Sequence, residues 1–383
     1  MKRRDFAKKA LLGAAGASVL GGCANEESSA GGDAANVQPN KTVRWKLASS
    51  FSRSLDTIYG ASEVLADRVE TLTDGNFQIQ TYPGGELVPP LEVLGSVQSG
   101  TVEMGHSASY YFIGKNPALA FDCTVPFGLT ARQYRAWIYH GGGLELMRDL
   151  FSDFNILNLP GGNTGTQMGG WFNVAVNGLS DMDGLKMRIP GLGGSVMSEM
   201  GVNTQVLPSG EIYPSLERGA IDAAEWVGPY DDEKLGFQEV AQYYYYPGWW
   251  EPGPALTFYV NRDAYDQLPT QYQEALKTAA KEADLNMLAQ YDYKNPAALD
   301  RLLDEGTTLR RFPNEVMSEA QTITQQLLED NASGNKQYRT IYDAYKEVRE
   351  DAYKWFGTAE MVYADFAFPR MGQKQKQSPD ASA

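Results

Sequence analysis

The stretch Asp222–Asp232, DAAEWVGPYDD, sets Glu225 beside a tryptophan, a Gly-Pro turn, a tyrosine and two further acids. A carboxylate in that setting has three roles open to it: proton transfer, cation binding, or an exposed place at the end of a strand or helix. Glu251, in WWEPG, lies 26 residues further on. With Glu225 it would make the acid/base pair of a hydrolase or lyase acting on a carboxylate. Nothing else in the chain supports that chemistry. There is no nucleophile-elbow signature, and the glycine-rich stretches match neither the phosphate-loop nor the dinucleotide fingerprint. His106 and His140, the two histidines, are too few and too differently placed for a zinc site.

Such side chains need elements to position them. VRWKLASSF (43–51) reads as an apolar strand ending in small residues, and Ser54–Leu72 has the apolar spacing of a helix. FQIQTYP alternates as a second strand, and PPLEVLGSVQSGTVEMGHS reads as a helix and a short strand. This order predicts an α/β domain with a largely parallel sheet, whose ligands sit beyond the carboxyl ends of the strands. A helix is expected from Thr130 through QYRAWIYHGGGLELMRDLF, its three glycines marking a bend or a close contact. A second α/β series follows: FNILNLPGG, LKMRIPG, TQVLP and DAAEWV as strands, GGSVMSEMG and EIYPSLERGAI as helices. Helices then fill the remainder, the last from about Asn335 to Met361 with a face of Tyr338, Tyr342, Tyr345, Val348 and Tyr353 that needs a partner surface.

The ends have a different composition. MKRRDFAKKALLGAAGASVLGGC pairs a basic head with an apolar run too short to span a bilayer, the pattern of an export signal. Arg3-Arg4 resembles a twin-arginine signal, and Leu20-Gly21-Gly22-Cys23 resembles a lipobox, which marks Cys23 for lipidation and residues 1–22 for removal. Residues 23–42 read as a flexible tether and 366–383 as a polar tail. The whole chain has a formal charge of −15; residues 1–22 carry five basic and one acidic side chain, so the mature chain stands near −19. Nucleic acid is thereby excluded as a partner, since phosphate binding needs a concentrated basic patch. With Cys23 lipidated only Cys123 remains, so no intrachain disulfide forms in an oxidising compartment.

Five motifs occur in order: YHGGGLELMRDLF, GNTGTQMGGWF, GLKMRIPG, AIDAAEWVGPYDD and YYYYPGWWEPGP. Together they resemble the solute-receptor subunits of TRAP transporters, and among these the branch that takes 2-oxo and 2-hydroxy monocarboxylates such as pyruvate and lactate. The resemblance covers nearly all of residues 43–365. It implies an α/β, two-lobe periplasmic binding protein fold with crossover strands and a long bracing helix. Residues 43–165 plus about 257–296 would form lobe I; about 166–256 plus 297–365 would form lobe II with the C-terminal helices. Arg188 matches the family's substrate-binding arginine, whose guanidinium reads a carboxylate through two parallel donors. Gln167, Glu225, Trp226 (through its carbonyl) and Glu251 match a cation site that also holds the substrate carboxylate. All are oxygen donors, suited to Ca²⁺ or Na⁺ and less to Mg²⁺.

Tyr110 and Tyr111 follow the Ser107 turn and would close over the substrate, while Trp171 and Phe172 would wall its apolar side. The expected function is therefore capture, not turnover: a lipid-anchored periplasmic receptor that delivers a small carboxylate with its cation to two membrane subunits. The branch also implies a homodimer, in some members by exchange of a C-terminal helix. A receptor of the same fold for a dicarboxylate or sugar acid, and a secreted metal-dependent enzyme, are the alternatives.

Overall fold

The computed structural model describes residues 42–368. The signal, the lipobox with Cys23, nearly all of the tether and most of the polar tail lie outside those residues. Strand β1 (Val43–Ser49) buries Val43, Trp45 and Leu47 and exposes Arg44 and Lys46, the period-two pattern of a half-buried strand. It pairs in parallel with β2 (Phe77–Tyr82) and with β3 (Met104–Ser107). The other two strands of this sheet are β4 (Ile156–Asn163) and β10 (Ala255–Asn261), in the order β2-β1-β3-β10-β4. Here the sheet departs from the parallel expectation. β10 runs antiparallel to both β3 and β4, because it re-enters this lobe from the other one. All seven of its residues are buried, so it is an interior strand of the first core.

The second sheet has the order β11-β9-β5-β8-β6-β7. Its members are β5 (Trp171–Phe172), β6 (Lys186–Arg188), β7 (Asn203–Gln205), β8 (Ala223–Ala224), β9 (Tyr243–Tyr246) and β11 (Thr308–Arg311). The chain thus leaves the first sheet between β4 and β5 and returns between β9 and β10. Helix Thr270–Asp304 then spans both lobes. It packs on helix Gly60–Leu72 and β4 in the first lobe and on helix Pro229–Lys234 in the second. Its 35 residues reach about 52 Å at 1.5 Å per residue. Buried Ala275, Ala279, Ala280 and Ala283 let it lie close to the first lobe.

Two glycine-dependent details settle local expectations. The helix expected from Thr130 is two helices, Ala131–His140 and Gly143–Ser152, joined at Gly142, whose φ is 78°. A Cβ on Gly143 would lie 2.6 Å from the Trp137 ring, so the glycines mark both a bend and a close contact. The helix expected over Ser54–Leu72 starts only at Gly60, and Ser54–Tyr59 forms turns that face the other lobe. At the C-terminal end, Asn314–Gly334 rests on helix Gly191–Glu199 of the second lobe. Lys336–Phe356 then folds back onto the first lobe, although the sequence reading groups 297–365 with the second. The reason is its tyrosine face: Tyr338, Tyr342 and Tyr345 surround Phe121 with ring centroids 5.0, 6.2 and 5.3 Å away, and Tyr345 meets Trp137 at 5.1 Å.

Candidate functional site

The site begins with register. β6 and β8 run parallel with Arg188 opposite Ala224, and the Glu225 amide donates to the Arg188 carbonyl at 3.1 Å. Arg188 and Glu225 therefore emerge side by side at the carboxyl ends of adjacent strands, where open α/β sheets bind ligands. Both are buried, at 1% and 0% exposure. Arg188 Nη1 donates to the Glu225 carbonyl at 2.9 Å and pairs closely with its Oε1; Nε donates to the Leu207 carbonyl at 3.1 Å. The guanidinium carbon lies 5.1 Å from the Trp226 ring centroid.

The two segments that cross between the lobes supply the other polar groups. Gln167 lies in the outgoing segment and Glu251 in the returning one, and the two segments are stitched together. The Gln167 amide donates to the Glu251 carbonyl (3.1 Å), Gly248 to the Gln167 carbonyl (3.0 Å) and Thr164 to the Pro254 carbonyl (3.1 Å). Glycine is required for this approach: a Cβ on Gly248 would lie 2.5 Å from the Met168 carbonyl oxygen, and Gly170, at φ 79°, would meet the Ala224 oxygen at 2.6 Å. From the first lobe, the short helix Ser109–Phe112 brings Tyr110 and Tyr111, their rings edge to face at 4.9 Å. Arg188 Nη2 donates to the Tyr111 hydroxyl at 3.4 Å, a contact between the lobes. Both tyrosines, with Gln167, Trp226, Thr164 and Leu256, line one small cavity.

Three buried oxygens in this cluster have no hydrogen-bond donor: Gln167 Oε1, Glu225 Oε2 and Glu251 Oε2. Gln167 Nε2 is held by Thr164 Oγ1 at 3.1 Å, which leaves the amide oxygen free. Burial pushes the Glu225 carboxyl above its usual range, Arg188 pulls it back, and the neighbouring Asp232 charge adds to the rise. Glu251 is pushed up further, first by burial and then by Glu225, against Arg188 and a hydrogen bond from Tyr110. Burial also opposes the Arg188 charge, but Glu225 and the two tyrosines more than reverse it, so the guanidinium stays protonated. Two acids thus face one arginine in a space closed to water. Oxygen atoms without donors in an anionic pocket are what a hard cation binds, and the residues fit one.

Trp171 and Phe172 do not wall the cavity. They form a two-residue strand in mid-sheet, so each ring enters a different layer of the second lobe. Trp171 stacks on Tyr244 at 4.2 Å and donates to Asp232 at 3.0 Å; Phe172 packs against Tyr245 and Phe312. The apolar lining comes instead from Phe51, Ile58, Val227, Pro254 and Leu256, with Cys123; Val227 and Pro254 lie within quoted motifs but had no assigned role, and the others lie outside them. Asp232 was also missed, although it secures the site from beneath. It accepts from Trp171, from the Tyr244 hydroxyl (2.7 Å) and from the Val227 and Gly228 amides (3.3 and 3.1 Å). A Gly-Pro step before two acids in the first turn of a helix was the available signal. Of the histidines, His106 is a core residue between Ser62 Oγ and the Gly161 carbonyl, and burial pushes its imidazole down to about 3. His140 is exposed.

The family described as bacterial extracellular solute-binding protein, family 7 (DctP), matches residues 48–335. A monocarboxylate 2-oxoacid-binding periplasmic protein of Nostoc is 51% identical over 96% of this chain and 99% of its own. A TRAP transporter solute-binding protein of Bordetella bronchiseptica, a mixed-occupancy dimer with copurified calcium and picolinate, is 48% identical with a TM-score of 0.85, over 86% of this chain and 98% of that one. One from Pseudoalteromonas atlantica, with bound sodium and pyruvate, is 40% identical with a TM-score of 0.83, over 86% and 100%. The stitched crossovers, the arginine at a strand end and these likenesses agree: the chain belongs to the family 7 extracellular solute-binding proteins, the periplasmic receptors of TRAP transporters.

Proposed function

We propose that this receptor captures a small 2-oxo or 2-hydroxy monocarboxylate of the pyruvate or lactate kind, together with Ca²⁺ or Na⁺, between its two lobes. The observation that carries the reading is the set of three buried, donorless oxygens on Gln167, Glu225 and Glu251 next to a paired, buried arginine. A cation would be held by those oxygens and the Trp226 carbonyl. When bound it would offset the charge of the two acids and accept the substrate's oxygens. Arg188 and the Tyr111 hydroxyl would orient the carboxylate, and the apolar residues around Leu256 would take the rest of the molecule. No step in this scheme breaks or makes a covalent bond. The ligands named for the Nostoc and Pseudoalteromonas relatives are of this class, and the picolinate found with calcium in the Bordetella relative is a monocarboxylate of another kind.

The same reading extends to the assembly. Residues 43–165 with 257–296, and 166–256 with 297–334, would be the bodies that close on ligand. Cys23 would carry the lipid that keeps the receptor at the membrane, where two TRAP membrane subunits take its cargo. A homodimer is supported by the end of the last helical stretch, where Trp355, Met361, Val362, Tyr363, Phe366 and Phe368 are 63–93% exposed. Calorimetric titration with pyruvate, lactate and succinate, before and after unfolding, chelation and refolding, tests the ligand. Tight monocarboxylate binding that disappears with chelation and returns with one cation is expected. Succinate binding alone, or indifference to the cation, would overturn the assignment.

A further inference from the structure

A polar cluster at the edge of the cleft takes no part in the site described above. The turns of Ser54–Tyr59 follow β1, and this first-lobe segment is gripped by a helix of the second lobe and by the long helix that spans both. Asp56 accepts from the Tyr230 hydroxyl at 3.0 Å and from Lys294 Nζ at 3.2 Å, and it pairs closely with Lys234. Lys234 Nζ also reaches the Ser54 carbonyl at 3.4 Å. Lys294 Nζ reaches Thr57 Oγ1 at 3.0 Å and Gln290 Oε1 at 2.7 Å. Tyr230 and Lys234 belong to helix Pro229–Lys234, just past Trp226 in the second lobe, and Lys294 belongs to the long helix. Both ammonium groups approach the Tyr230 ring, at 4.4 and 4.6 Å from its centroid.

The charge count gives Asp56 its weight. It is the carboxylate shared by two lysines on one ring, so without it two like charges would face each other there. Ile58 of this segment and Phe51, three residues before it, stand on either side of Asp56 in sequence, and both line the ligand cavity. A tie on Asp56 therefore holds a wall of that cavity. Its side chain is 50% exposed and those of Lys234 and Lys294 are 29% and 23% exposed, whereas Arg188 and Glu225 are 1% and 0% exposed. Salt reaches the first set and barely reaches the second.

We propose that Asp56 is a positioning residue for ligand retention: it ties the Ser54–Ile58 wall of the first lobe to helix Pro229–Lys234 of the second and so sets how slowly a bound ligand leaves. It acts through Phe51 and Ile58 and touches no ligand itself. The inference rests on the receptor reading only for the choice of ligand.

The test is release of pyruvate from the calcium-loaded protein, followed by stopped-flow tryptophan fluorescence over a range of potassium chloride. Asp56→Asn is expected to release pyruvate about fivefold faster at low salt, with little change in association, because exposed pairs of this kind have modest worth. The gap should close as salt rises. Asp56→Glu should recover most of the loss, and Lys234→Met added to Asp56→Asn should change little more. Equal release at low salt, or the same acceleration at every salt concentration, would overturn the proposal. A ligand-free arm uses spin labels on the outer helices of the two lobes. Asp56→Asn should lengthen the interlobe distance distribution, and an unchanged distribution counts against the tie. If the native chain binds no pyruvate, the receptor reading fails and the spin-label arm still decides the role of Asp56.

Discussion

The cleft and the knot around Asp122 both bury carboxylates, and they treat them in opposite ways. Asp122 accepts from Ser109 Oγ and Thr257 Oγ1, each at 2.5 Å, and from Asn158 Nδ2 at 3.2 Å. Both of its oxygens have donors, and burial raises it to about 6 against those bonds. Glu225 and Glu251 each keep an oxygen with no donor; beyond burial, the Asp232 charge makes Glu225 harder to ionise and the Glu225 charge does the same to Glu251. Asp122 is saturated by neutral donors, whereas the two cleft acids are each left with an open oxygen. The apo cleft therefore carries a penalty that Asp122 does not, since an unsatisfied buried group costs about 1–3 kcal/mol.

The largest blow to this contrast is Arg188→Ala. It leaves two acids without their counter-charge, and ligand affinity should fall by more than about a hundredfold, as breaking a buried pair costs roughly 3–5 kcal/mol; calorimetry measures it. Next comes Glu251→Gln. Cation-dependent binding should be lost, while the cation-free protein should melt several degrees higher, at about 2–4 °C per kcal/mol for a large domain. If instead the variant melts lower and keeps its cation response, the acids are structural. Asp122→Asn is the converse: a loss of about 1–3 kcal/mol in denaturant unfolding with cation affinity intact. Loss of cation affinity there would erase the distinction between the two regions.

Acid–base linkage sharpens the comparison further. The cleft acids have folded values raised above the ordinary 4.5. Their favourable contribution is present below that value and is lost as pH rises through the raised values. Cation-free protein should therefore lose stability from about pH 4.5 upward through neutrality, and saturating cation should flatten the slope; thermal melts across pH measure both. The smallest effect is expected from Tyr111→Phe, whose 3.4 Å contact with Arg188 is long. A loss of about threefold or less in affinity is expected, because such a bond has a net worth of about 0.5 kcal/mol.

How much of this was legible depended on whether the signal was local. β1 and β2 show in their alternation, and the last helix shows in its face and in Asn335, whose side chain caps it by accepting from the Tyr338 amide. β5 and β8 have two residues each, too few for any period to register. The direction of β10 depends on a return from the other lobe, and no window of sequence contains that. Only the family resemblance implied that Arg188, Gln167, Glu225 and Glu251 lie near one another; register and the crossing segments bring them together in the structure. Trp171 and Phe172 went the other way, because proximity to a motif in sequence says nothing about which layer a ring enters. The apolar lining was silent for a simple reason: Leu256 and Ile58 look like any core residue until the lobes face each other.

One consequence follows from the stitching of the two crossing segments. Since Gln167 is bonded to the Glu251 backbone and Gly248 to Gln167, the outgoing and returning chains cannot slide past each other. The relative movement left to the lobes is rotation about that seam. Points near an axis travel least, and the backbones of Gln167 and Glu251 form it, whereas Tyr111 sits across from Arg188 on the far body. The cation would then meet much the same donors whether the receptor is open or shut, and the organic acid would meet its full set only on closure.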